Sequence, residues 1–247
     1  MAKVIAIANH KGGVGKTTTV ANVGATLARL GYRTLLVDLD AQSNLTFCFV
    51  KDEERIGTSV YDALTGEAEL PTIEIQDNLY LTPSSIDLAR ADSDLSGTKV
   101  SRLKKLLADV SKEYDYIILD CPPSLGVVTY NALVACNALY VTLTAEALPY
   151  KGLTMLEEVV SELSVLNSDL SISGLIITRY NNRKLNDLVV EQIRERYGNK
   201  ICKTKIRENI ALAEAPLTGQ DIYTYEPTSN GAKDYEALTK EILSRWN

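Results

Sequence analysis

Residues 10–18 read His-Lys-Gly-Gly-Val-Gly-Lys-Thr-Thr, a run of residue types that can hold a polyphosphate. Gly12, Gly13 and Gly15, with Val14 between them, let the backbone turn its N–H groups toward one anion. Lys16 supplies a counter-charge for the β- and γ-phosphates, and Thr17 a hydroxyl for Mg²⁺. Thr18 continues into a helical pattern whose N-terminus adds partial positive charge. The common phosphate-loop spacing, G-x-x-x-x-G-K-[ST], requires glycine where this chain has His10, so the pattern fails although its physics survives. His10, the single histidine, reads as part of the loop's mouth and not as an acid–base catalyst. Lys11 is the unusual residue: a second cation at the mouth, directed away from the cradle that Lys16 already serves.

A cradle alone hydrolyses nothing, because a metal and an attacking water also need holders. Asp120 ends the apolar run 116–119, the placement of a metal-holding carboxylate, and Cys121-Pro122-Pro123-Ser124 follows as a stiff turn. Another apolar run leads into Asp38-Leu39-Asp40-Ala41-Gln42-Ser43-Asn44. Its two carboxylates, two residues apart in extended chain, share a side and repel unless a metal or a donor lies between them. Thr17, Asp40 and Asp120 are the candidate Mg²⁺ residues. Asp38 belongs either to the metal's shell or to its hydrogen-bonding frame.

These groups can meet only if strands carry them to one edge. Buried-strand runs at 4–8, 34–37, 79–82, 116–119, 139–143 and 172–178 alternate with amphipathic stretches at 17–30, 99–111 and 153–166. That alternation predicts an α/β fold: a doubly wound, mostly parallel sheet with helices on both faces. Ligands in such sheets bind outside the carboxyl ends of the strands, where all three chemical segments fall. Residues 51–71 are charged and turn-rich and give no clear element. There is no internal repeat or linker-like tract, so residues 1–247 read as one domain.

Composition narrows the function further. The net charge of −6 excludes a uniformly basic nucleic-acid coat, yet residues 179–207 hold nine lysines and arginines against three acids. That local excess is the footprint of a phosphate-backbone binder, and with only 6% aromatic residues it favours duplex over stacked single strands. Arg183, Lys184, Lys205 and Arg207 are the candidate DNA-binding residues. The four cysteines at 48, 121, 136 and 202 show no C-x-x-C spacing and read as reduced thiols. No apolar stretch has the length of a signal peptide or a membrane span, so a cytoplasmic protein is expected.

The string K-G-G-V-G-K-T-T resembles the deviant Walker A motif of the ParA/MinD family of P-loop ATPases. The string R-E-N-I-A-L-A-E-A-P-L-T-G-Q-D-I at 207–222 looks like the corresponding stretch of the chromosomal ParA/Soj subgroup. The resemblance implies a P-loop NTPase fold, ATP and Mg²⁺ as ligands, and an ATP-dependent homodimer in which Lys11 crosses to the partner's phosphates. It implies that Asp40, in D-x-D-x-Q, positions the attacking water, and that Gly12 lies in the dimer interface. Asn181 and Pro216 become base-contact residues, and Arg183 and Arg207 part of a surface for non-specific double-stranded DNA. A ParB-like adaptor would stimulate hydrolysis and release the dimer from the nucleoid. In one departure the subgroup's second arginine is Ala211 and Glu208 is inserted, so a DNA surface either weaker or differently arranged than the subgroup's is expected.

Other readings stand beside this one. A MinD-type membrane-surface ATPase shares the loop but carries a lipid-binding C-terminal helix, whereas the helical pattern at 233–246 reads as packed on the domain, with only Trp246 as a late anchor. A ParA-like ATPase positioning a protein cargo is a further alternative. An iron–sulfur reductase is disfavoured because Cys121 directly follows Asp120, whereas that family's cluster cysteine lies several residues further on. A non-enzymatic DNA scaffold is disfavoured by Lys16, Asp40 and Asp120 together. Since the first strand starts at once, no amino-terminal helix-turn-helix and no operator binding are expected.

Overall fold

The computed structural model describes residues 1–95, 98–145 and 150–245. Eight strands, β1 (Lys3–Ala8), β2 (Thr34–Asp38), β3 (Ile73–Gln76), β4 (Leu79–Thr82), β5 (Tyr116–Asp120), β6 (Ala138–Thr144), β7 (Ile172–Tyr180) and β8 (Ile201–Arg207), make one sheet. Their order is β3-β4-β2-β5-β1-β6-β7-β8, with β3 antiparallel to β4 and the other pairings parallel. The helices are α1 (Lys16–Arg29), α2 (Asn44–Phe49), α3 (Val60–Thr65), α4 (Ala91–Asp94), α5 (Arg102–Val110), α6 (Val127–Ala135), α7 (Tyr150–Leu163), α8 (Lys184–Tyr197), α9 (Ala211–Glu214), α10 (Ile222–Tyr225) and α11 (Asn230–Ser244).

Both faces of the sheet are buried, which is why its central strands read as continuous apolar runs. Ala6, Ala8, Leu35, Val37, Ile117 and Leu119 point into the layer formed by α5, α6, α7 and α8. Their neighbours Ile5, Ile7, Leu36 and Ile118 point into the layer of α1, α10 and α11. The predicted doubly wound architecture is therefore present. β1 lies between β5 and β6, where successive connections leave in opposite directions, so the crevice opens at its carboxyl end.

Three elements lay outside the sequence expectation. β8 reads I-C-K-T-K-I-R, an edge strand whose alternate residues are charged, so its composition looked like surface rather than sheet. β3 is a half-buried antiparallel strand at the opposite edge. Residues 51–71 contain α3, begun by a capping box in which Ser59 and Asp62 bond reciprocally, a local signal the sequence does carry. At the C-terminus α11 packs on β8 and α1, and Trp246 lies outside the described residues. Among the described residues no helix is long and apolar enough to cross a membrane.

Candidate nucleotide site

The carboxyl ends of β1, β2, β5, β7 and β8 surround a cavity of about 940 Å³. Gly12, Gly13, Gly15, Lys16, Thr17 and Thr18 line it, as do Arg207, Asn209, Ile210, Pro216 and Leu217. Gly13 and Gly15 adopt φ of +72° and +78°, a left-handed backbone that only glycine takes without strain and that the loop's curl requires. Gly15 also caps α1 with no side-chain acceptor, and the first turn of α1 has no acid. The first N–H groups of the helix are thus left for an external anion.

Lys16 is only 7% exposed, and its ammonium lies 3.2 Å from the Lys11 carbonyl oxygen. Burial lowers its pKa, opposed by the charges of Asp120 and Asp40. Lys11 is exposed. Its N–H donates to Asn9 Oδ1 at 2.9 Å, while Asn9 in turn donates to the Thr142 carbonyl at 2.6 Å. The loop is thereby pinned to β6 by a residue the sequence reading passed over. Thr178 pins it from β7, with its hydroxyl 2.9 Å from the Val14 carbonyl and 3.2 Å from that of Leu143. A Cβ built on Gly12 would meet nothing within 4 Å.

Asp38 and Asp120 are register partners across β2 and β5, so two carboxylates lie side by side in the buried floor. Their surroundings separate their roles. Asp38 accepts from the N–H and the hydroxyl of Thr46, each at 2.7 Å, and from the Asp40 N–H at 3.1 Å. It thereby suspends α2 from the sheet and acts as a hydrogen-bonding frame. Burial nevertheless lifts its carboxyl to about 6, against the pull of the Thr46 bonds. Both oxygens of Asp120 are buried, with no hydrogen-bond partner among the described residues. Burial and the nearby Asp38 charge push its carboxyl well up, with the Thr17 hydroxyl and Lys16 acting in the opposite direction. Orphaned carboxylate oxygens beside a threonine hydroxyl form a donor set that fits a hard divalent cation such as Mg²⁺.

Asp40 is half-buried on the cavity wall and accepts the Gln42 N–H at 3.0 Å. Pro123 lines the cavity as well, while Cys121 is fully buried and its thiol is pushed well up by burial. Pro216 lies on the cavity wall. Asn181 is off it: its N–H is bonded to Asn186 Oδ1 at 2.8 Å and its own Oδ1 is buried with no partner among the described residues. Phe47 and Lys51 line the cavity unannounced by any motif, and Arg179, the first residue of the basic stretch 179–207, lines it too. Lys51 donates to the Pro216 carbonyl at 2.5 Å, tying the end of α2 to the segment carrying that proline.

The four basic candidates divide into two pairs. Arg183 and Lys184 are exposed at the start of α8. Lys205 lies over the Tyr180 ring at 3.9 Å and pairs with Asp187 at 3.8 Å. Arg207 is exposed and ion-paired. Its guanidinium grips Asp234 through two nitrogens, the shortest contact being 2.6 Å, and the residue lines the cavity. Much of its charge is therefore compensated.

Comparison with known proteins agrees with this geometry. The family model for an AAA domain matches residues 2–172. The chain is 41% identical to the chromosome-partitioning ATPase Soj of Treponema pallidum, covering 99% of this chain and 98% of that protein. It is likewise 41% identical to the sporulation initiation inhibitor protein Soj of Bacillus subtilis, over 99% of each. Among solved structures, cobyrinic acid a,c-diamide synthase of Mycobacterium smegmatis, bound to an ATP analogue and magnesium, is 33% identical with a TM-score of 0.87, covering 100% of this chain and 96% of that one. A plasmid partition protein of Borrelia burgdorferi bound to AMPPNP is 26% identical with a TM-score of 0.86, covering 99% and 100%.

Proposed function

Because the chain belongs to the ParA/Soj family of partitioning ATPases, which hydrolyse ATP with Mg²⁺, we propose that it works as an ATP-built dimeric switch on DNA. Residues 10–18 hold the triphosphate, with Lys16 as the counter-charge in its own cradle. Thr17 and Asp120, with Asp40, hold Mg²⁺, which neutralises charge on the phosphates. Asp40 orients the attacking water, and Asp38 fixes Asp40 by accepting its N–H. Pro216, on the cavity wall, serves the base, a role that Asn181, off that wall, does not share. Residues 1–247 act as one domain, a reading supported by the single sheet that takes strands from Lys3 to Arg207.

The observation that carries the dimer is Lys11. Its cradle already has a lysine, its backbone is held at both ends by Asn9 and Lys16, and its side chain is exposed beside the open space at Gly12. A cation placed this way reaches a second copy's phosphates and stabilises transition-state charge only after the two have met. Hydrolysis is then tied to assembly. Dimerisation also brings together two copies of the basic surface around Arg183 and Lys184. Two weak phosphate-binding patches gain affinity by avidity without new contacts. A ParB-like adaptor accelerates hydrolysis and ends the bound state, on the nucleoid in the cytoplasm.

Gly12→Val tests the assembly step. Since an added Cβ touches nothing in one chain, the variant should fold and bind ATP like the wild type, yet stay monomeric with ATP in light scattering. Dimers at wild-type yield would remove Gly12 from the interface.

A further inference from the structure

α6 begins without a cap of its own. Gly126, at its N-terminal boundary, has no side chain, and the first turn of α6 holds no acid. The cap comes from another element: Asp92, in α4, accepts the Val127 N–H through Oδ1 at 2.8 Å. A carboxylate there satisfies one of the helix's open donors and complements the positive end of its dipole. Gly126 leaves room for it. A Cβ built on that glycine would stand 2.5 Å from Asp92 Oδ1 and 2.7 Å from Oδ2, so any other residue there would push the cap aside.

What this cap holds is the turn 121–126, which joins Asp120 to α6 and puts Pro123 on the cavity wall. The turn is fixed at its start by the Cys121 N–H, which donates to the Ile7 carbonyl at 3.2 Å, and in its middle by the Thr129 hydroxyl, which donates to the Ser124 carbonyl at 2.6 Å. Asp92 fixes its end. α4 is itself anchored: the Tyr61 hydroxyl of α3 donates to Asp94 at 2.6 Å, and the Arg90 guanidinium donates to the Tyr61 oxygen at 2.9 Å. Earlier in the same segment the Ser84 N–H donates to the Thr46 hydroxyl at 3.0 Å, and that hydroxyl donates to Asp38. Residues 84–92 therefore run from the frame that accepts the Asp40 N–H to the turn that follows Asp120.

We propose that Asp92 is a positioning residue for ATP hydrolysis: by capping α6 it holds the turn 121–126, and with it Pro123 and Asp120, in one arrangement relative to the loop of Asp40. This rests on the metal and water roles proposed above for Asp120 and Asp40. Asp92 is off the cavity wall, so it acts on turnover and not on binding.

Asp92→Ala should lower kcat for ATP about tenfold, the scale of one lost cap, while KM and the calorimetric affinity for ATP stay within about twofold of wild type. Asp92→Asn keeps an acceptor on the same stem and should recover most of the rate. Gly126→Ala, which crowds the carboxylate out, should slow turnover as Asp92→Ala does, and the double variant should be no slower than either, because each change removes the same bond. A wild-type kcat in Asp92→Ala would overturn the assignment, as would a raised KM at unchanged kcat or an asparagine variant as slow as the alanine one. Losses that multiply in the double variant would overturn it too, since the two changes would then act separately. Asp40→Ala assayed alongside separates the two readings: if it also hydrolyses ATP at the wild-type rate, the site itself is misplaced, whereas if only Asp92→Ala does, this inference alone fails.

Discussion

Lys16→Ala protein should bind ATP at least about a hundredfold more weakly than the wild type, a loss of about 2.7 kcal/mol or more. The size of the effect follows from where the ammonium stands. Lys16 is almost fully buried, and its ammonium is bonded to one carbonyl oxygen, that of Lys11. Burial already strains its charge, as the lowered pKa shows. A triphosphate relieves that condition, so the gain on binding exceeds that of an exposed lysine. Removing the lysine also leaves Asp38, Asp40 and Asp120 uncompensated next to an anionic ligand. Isothermal calorimetry reads the affinity, and a thermal melt by circular dichroism shows that the fold survives. Affinity within a few-fold of wild type would refute the cradle.

Asp40→Ala separates binding from chemistry. Asp40 lies on the cavity wall, and the bond joining it to Asp38 uses its backbone N–H, which alanine keeps. The suspension of α2 by Asp38 and Thr46 is likewise untouched. ATP affinity should therefore be close to normal, while turnover falls by about a hundredfold or more because the water loses its orienting carboxylate. With hydrolysis blocked, ATP-bound dimers should accumulate in light scattering. A monomer that still releases phosphate at the wild-type rate would move the water-positioning role to another residue.

Much of this site is legible in the sequence because its chemistry lies in short strings at strand ends. Residues 10–18 and Asp120 need no distant partner to be recognised. The part played by Asp38, metal shell or hydrogen-bonding frame, could not be read that way, because spacing says only that two carboxylates share a side. Only the fold sets Asp38 beside Asp120 and bonds it to Thr46. The supports of the loop were equally hidden. Asn9 meets Thr142 and Thr178 meets Val14 across more than a hundred residues of chain, and no local pattern encodes either contact. Lys51 and Pro216 are farther apart still. β8 is hidden in the sequence because an edge strand keeps charges on its open side, and those same charges read as a phosphate-binding surface rather than as a strand. The basic excess was real in composition, yet Lys205 and Arg207 are paired with acids that only the fold brings near.

The central claim, that ATP builds a DNA-binding dimer, is tested most directly by retention of the wild-type protein on duplex DNA of arbitrary sequence. The comparison is between ATP, ADP and no nucleotide, at two salt concentrations. Retention with ATP alone, weakening steeply at the higher salt and indifferent to sequence, is the predicted result. Equal retention in all three nucleotide states, or none in any of them, would contradict the switch.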